Sequence, residues 1–152
     1  MDHERVEACY RELLTAWNQR DADAIAARFT EDGHFVAFDG STMDGRATIA
    51  STLSAVFQNE KTARYVAAIR DIQDIAPGVT LLRAVVGMIP PDSVDPHVTV
   101  RATQSILFVE RDGEAAAVLV QSTPAVFHGR SDLAEALTLE LELILRSQSV
   151  KH

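Results

Sequence analysis

The stretch W-N-Q-R-D-A-D-A-I-A-A-R-F-T-E-D-G-H-F-V-A-F-D-G-S-T-M-D-G, from Trp17 to Gly45, decides the fold. It reads as the end of one helix, a short second helix, and a strand that turns at Asp39-Gly40. Asp21 is placed to cap the second helix, with Asp23 in its first turn. That helix carries Ile25, Ala26 and Phe29 and is expected to stop near Asp32-Gly33. Residues 34–38, H-F-V-A-F, are β-branched and aromatic, and Asp-Gly is a favoured two-residue hairpin turn. Ser41 to Asp44 then forms a short return strand, and Gly45 breaks into a third helix.

Upstream, residues 3–19 carry one apolar stripe. Val6, Cys9, Tyr10, Leu13, Leu14 and Trp17 recur at helical spacing behind Asp2, a capping residue. So short a link to the second helix makes a helical hairpin. Downstream, Ile49, Leu53, Val56 and Phe57 place the third helix at about 46–59. Residues 64–76 and 79–90 read as strands separated by Pro77-Gly78, a turn signal. The segment 90–96, P-P-D-S-V-D-P, is a loop, because its prolines lack ladder donors. Residues 97–110 and 115–127 are the last strand pair. Ser131 can cap a final helix over about 132–147, with Leu133, Leu137, Leu141, Ile144 and Leu145 to dock it.

The last hairpin permits a sharper expectation. With Asp112-Gly113 as a two-residue turn between Arg111 and Glu114, Phe108 faces Ala117, Ile106 faces Leu119, and Gln104 faces Gln121. Alternation puts all six on one face, with two glutamines in an otherwise apolar row. The other face holds Leu107, Val109, Val118 and Val120. A sheet apolar on both sides needs cover on both sides. The expectation is helices on one face and a second subunit on the other.

Composition narrows the function classes. The 152 residues include 47% apolar and 24% charged residues, which fits one soluble α+β domain over 1–152. The net charge of −8, without a basic run, disfavours nucleic acid. The N-terminus has no apolar signal region and no run reaches bilayer length, so a cytoplasmic protein outside the membrane is expected. Cys9 is the only cysteine, on the core stripe, so no intrachain disulfide forms. The five histidines lack metal-ligand spacing and the glycines are isolated at turns, so neither metal nor nucleotide cofactor is expected.

The candidate catalytic residues are Asp39 and His34. A carboxylate at a pocket mouth, with its pKa raised by apolar neighbours, could move a proton beside a carbonyl. Asp-Gly is also plain turn chemistry, and His34 has no carboxylate at a fixed sequence spacing to orient it. Candidate ligand-binding residues are Tyr10, Trp17, Phe35, Phe38, Met43, Phe57, Gln104 and Gln121: aromatic walls with a few amides. The same residue types also build a core. Arg70, Arg83 and Arg101 lie within strands, where a bulge would decide whether they point in or out. His128 and Arg130 precede the last helix, either as an anion site or as pins for that helix.

The blocks at 17–35 and 44–49, with Q-S-T-P-A-V-F-H-G-R at 121–130, resemble the nuclear transport factor 2-like superfamily. Within it the chain is similar to the SgcJ/EcaC group, allied to SnoaL-like domains. The resemblance implies a cystatin-like cone: a curved, mostly antiparallel sheet wrapped by three N-terminal helices, with a C-terminal helix added. It also implies a homodimer and a pocket for a small apolar or aromatic ligand, with a polycyclic or polyketide-like molecule as the expectation. The superfamily contains isomerases, dehydratases and cyclases as well as non-catalytic binding and assembly domains, so chemistry does not follow from fold. The chain departs from the smaller group at Ala37, where a polar residue is usual, and at Leu53, where His is common. Both departures make the pocket more apolar.

Overall fold

The computed structural model describes residues 1–150; His152, an uninformative terminal histidine in the sequence, lies outside the described residues. Helix α1 (His3–Asn18) starts where Asp2 Oδ1 accepts from Glu4 N at 3.0 Å. Its stripe buries Val6, Cys9, Tyr10, Leu13 and Ala16. Helix α2 (Ala22–Ala26) is capped by Asp21, which accepts from Ala24 N at 3.0 Å.

Phe29 does not belong to that helix. It opens strand β1 (Phe29–Val36) and is fully buried. Parallel pairing with the last strand captures the chain here: Phe29 stands opposite Ala117, and Ala117 N donates to Arg28 O at 2.8 Å. The ladder then breaks between Phe29 and His34. Gly33 lies in that break, and a Cβ on it would sit 3.0 Å from Ala117 O and 3.0 Å from Phe29 Cδ1. The glycine serves close packing, not helix termination.

Strand β2 (Thr42–Asp44) returns antiparallel to β1. The turn is wider than two residues. Ala37 N donates to Ser41 O at 2.9 Å, so Phe38, Asp39 and Gly40 bridge the strands, with Gly40 at φ 90°. Helix α3 (Arg46–Asn59) follows, burying Ile49 and Leu53. Strands β3 (Arg64–Ala76), β4 (Val79–Ile89), β5 (Val100–Arg111) and β6 (Glu114–Pro124) complete a sheet of order β2-β1-β6-β5-β4-β3. Among the described residues only the β1–β6 pairing is parallel.

The β5–β6 turn has Arg111 opposite Glu114 and Phe108 opposite Ala117, as alternation requires. Beyond that point the register slips by one. Leu107 pairs with Leu119, Ile106 with Val120, and Gln104 with Ser122. Val118 is the extra residue of a bulge, and every side chain after it changes face. Gln121 therefore stands opposite Ser105, exposed on the other side of the sheet. Ser122 takes the buried place beside Gln104.

The inner face packs Leu82, Ala84, Val86, Ile106, Phe108 and Val120 against the first three helices. Part of the outer face is covered by α4 (Ser131–Val150), whose Leu137 and Leu141 bury against Val66, Val85, Ile89 and Val98. Gly87 makes room for this: a Cβ there would meet Val98 at 2.8 Å and Leu141 at 3.1 Å. All three strand arginines serve this outer face. Arg70 forks onto both oxygens of Glu140 at 2.7 Å, Arg83 pairs with Asp71, and Arg101 donates to Thr138 Oγ1 at 3.0 Å. Phe127, at φ 46°, packs beside the same cluster, while His128 and Arg130 are exposed. The packing contact before α4 is therefore Phe127.

Candidate functional site

The sheet curls so that β1 and β3, far apart in strand order, meet through α1. Trp17 is the meeting point. Its ring lies 6.3 Å from Phe35 of β1, 5.3 Å from Tyr65 of β3 and 5.3 Å from Phe57 of α3. Its indole N–H donates to Ala63 O at 3.0 Å, which fixes the ring's edge. Asn18, the next residue, clamps Tyr65 from both sides: Nδ2 donates to its carbonyl and Oδ1 accepts from its N–H.

Beneath this cluster is a cavity of ≈ 30 Å³ lined by apolar side chains and by Tyr10 and Gln104. It has room for about one water molecule. The polar floor is a short chain. Tyr10 Oη donates to Gln104 Oε1 at 2.6 Å, and Gln104 Nε2 donates to Ser122 Oγ at 3.1 Å. All three residues are buried. Burial pushes the Tyr10 hydroxyl well above the ordinary phenol range, so it stays a neutral donor. The Tyr65 hydroxyl is pushed up to about 12, first by burial and then by the charge of Asp39.

Tyr10, Trp17, Phe35 and Gln104 thus line the cavity, as the sequence suggested. Phe57 stands one ring back, edge-on to Trp17. Met43 is a core residue opposite Phe35, away from the cavity wall. Phe38 is exposed at the hairpin tip, and Gln121 is carried to the outer face by the bulge. Tyr65, Ile106, Val120 and Ser122 were missed. Parity along β3 points Tyr65 and Ala67 the same way, a usable signal; Val120 and Ser122 required the bulge.

Neither candidate catalytic residue is in the cavity. Asp39 is exposed, with Oδ1 accepting from Ser41 N at 2.9 Å and Oδ2 from Ser41 Oγ at 3.0 Å. The Ser41 backbone N–H, then its hydroxyl, hold the Asp39 carboxyl below the usual range. His34 alternates away from Phe35. It does have a carboxylate partner, supplied across the hairpin and invisible to sequence spacing: Nδ1 lies 2.8 Å from Asp44 Oδ1. Among the described residues, no three His, Cys, Asp or Glu side chains gather as metal ligands do, and no helix is long and apolar enough to cross a membrane.

Cys9 lies on the same buried stripe of α1 as Tyr10, with Sγ donating to Ala115 O at 3.6 Å. Burial is the main cause that pushes its thiol up to about 11. Iodoacetamide at pH 8 is expected to label it roughly a hundredfold more slowly in the native protein than in urea. Because the folded value is raised, its contribution to stability is present below the unfolded thiol's pKa and fades as pH rises through about 11. Equal labelling rates in the two states would contradict this burial.

No curated protein matches the sequence. Solved structures similar to the chain include a domain of unknown function with a cystatin-like fold from Nostoc punctiforme, at 20% identity and TM-score 0.75, covering 97% of both chains. An uncharacterised cystatin-like protein from Caulobacter vibrioides shares 22% identity at TM-score 0.71, covering 89% of this chain and 96% of that one. A ketosteroid isomerase-like protein from Erwinia carotovora atroseptica shares 17% at TM-score 0.66, covering 80% and 94%. These likenesses establish the curved cystatin-like, nuclear transport factor 2-like cone. The SnoaL-like domain family matches residues 10–132, and with that span and this cone the chain belongs to the SnoaL-like domain family.

Proposed function

We propose that the protein binds a small, largely apolar ligand at the Trp17 end of the cone, without covalent chemistry. The observation that carries this reading is the wall itself. Three half-buried aromatic rings, Trp17, Phe35 and Tyr65, line a cavity whose floor offers one amide, Gln104, with Phe57 edge-on behind Trp17. Such walls with few polar groups suit shape-based recognition of aromatic or polycyclic molecules, polyketide-like ones included. The cavity of ≈ 30 Å³ admits a ligand only when the mouth rings swing aside.

A second reading, proton transfer as in an isomerase, cyclase or dehydratase, is favoured by one observation. Asp39 sits on the hairpin that follows Phe35 of the wall, and its charge adds to burial in raising the Tyr65 hydroxyl. Its lowered pKa makes it a weak base, and for that reason binding ranks first.

We further propose that the Phe127-His128-Gly129-Arg130 block places the chain in the SgcJ/EcaC group, and that it works in the cytoplasm as a homodimer. Leu81, Leu107 and Leu119 form a cross-strand row on the outer face, outside the cluster that α4 covers. A second copy would bury that row. Native mass spectrometry with a library of aromatic and polycyclic metabolites tests both points. A dimer retaining a ligand is the expected result. A dimer empty against the whole library would mean that the cone is filled and the module only assembles. A monomer would overturn the interface. Turnover of any retained ligand, abolished in Asp39→Asn, would favour the second reading.

A further inference from the structure

The polar floor of the cavity has a direction that the binding reading does not use. Tyr10 Oη lies 2.6 Å from one end of the Gln104 amide, and Ser122 Oγ lies 3.1 Å from the other. Those two lengths orient the amide. An N–H donor holds its acceptor oxygen at about 2.7–3.2 Å, whereas a hydroxyl donor reaches down to about 2.5 Å. The short contact is therefore the Tyr10 hydroxyl donating to Gln104 Oε1, and the long one is Gln104 Nε2 donating to Ser122 Oγ. A phenol has one proton, so Tyr10 has none left to give. Burial keeps that proton in place, because it holds the hydroxyl well above the ordinary phenol range. Two capacities have no partner among the described residues: a lone pair on Tyr10 Oη and the second N–H of Gln104. Both residues line the cavity. A hydroxyl suits the pair, since it donates and accepts at once. A ketone oxygen only accepts and leaves the tyrosine oxygen unpaired. A carboxylate also only accepts, and it brings a charge among apolar walls.

We propose that the cavity recognises the hydroxyl of an apolar alcohol or phenol, which donates to Tyr10 Oη and accepts from the Gln104 amide, in preference to a ketone or carboxylate on the same body. The inference rests on the binding reading above and names the polar group its ligand carries. The aromatic or alicyclic body would lie among Trp17, Phe35 and Tyr65 once these rings part. The same geometry counts against proton transfer, because a developing enolate needs donated hydrogen bonds and Tyr10 has already spent its own.

Trp17 is the only tryptophan and lines the cavity, so its fluorescence reports the site directly. The probes are 2-tetralol, 2-tetralone and tetralin, which share one bicyclic body, each titrated against the full-length protein. The alcohol is expected to bind about tenfold more tightly than the ketone, and the hydrocarbon most weakly of the three. Gln104→Met keeps the bulk of the side chain and releases the Tyr10 proton, which then serves a ketone as well as an alcohol. There the alcohol's advantage should fall to less than about twofold. The wild-type series decides the preference even if that variant does not fold. A ketone that binds as well as the alcohol, or better, overturns the hydroxyl preference and leaves the apolar pocket standing. An advantage that survives intact in Gln104→Met overturns the role given to the amide. Silence from all three probes overturns the pocket itself.

Discussion

Leu141→Ala is expected to lower the unfolding free energy by about 2–5 kcal/mol, seen as a lower urea midpoint with an unchanged slope. Leu141 is fully buried between α4 and the outer face of β3 and β4. What lies beneath it is Gly87, whose absent side chain created the space. Nothing there can swell to refill the hole, so the cavity penalty should persist. Arg70→Ala makes the contrast. Its fork to Glu140 also ties α4 to the sheet, and that contact holds the Glu140 carboxyl below its usual range. Both partners are well exposed to solvent, so breaking the pair should cost no more than about 1 kcal/mol. A reversed order, with the arginine variant worse than the leucine variant, would show that α4 is held by charge and not by packing.

Gln104→Ala is expected to cost about 2–4 kcal/mol, while Gln121→Ala stays within about 0.5 kcal/mol. The first change removes the middle of the Tyr10–Gln104–Ser122 chain and strands two buried hydroxyls. The second alters a side chain in water on the other face. Paired urea melts decide the matter. Equal costs would mean that the register does not slip at Val118 and that both amides share the inner face. The same pair separates function: only the Gln104 variant should change the affinity of a ligand seated over the cavity floor.

The elements themselves were legible because their signals are local. The α1 stripe, the Asp2 and Asp21 caps, the 46–59 helix, the Pro77-Gly78 turn and the Arg111–Glu114 turn each depend on residues a few positions apart. Half of the proposed site followed from the same logic. Tyr10 and Trp17 lie on one helical stripe, and Phe35 and Gln104 face inward by strand parity up to the point where parity holds.

Non-local pairing decided the rest. Phe29 continues a helical spacing, yet parallel pairing with β6 takes it into a strand, because ladder hydrogen bonds at Ala117 outweigh a weak local preference. The bulge at Val118 has no residue signature of its own. It exchanges Gln121 for Ser122 because a period of two turns any one-residue slip into a change of face. The cross-strand partner of His34, and the bonds from Arg20 to Thr62, likewise join residues that only the closed sheet and helices bring together. Sequence by itself therefore determined the order and type of the elements and put Tyr10, Trp17, Phe35 and Gln104 on inward faces, although the junction at Phe29 was not among what it fixed. Tertiary structure alone decided which polar groups enter that pocket, because facing is set by register between strands, and register is a property of two segments at once.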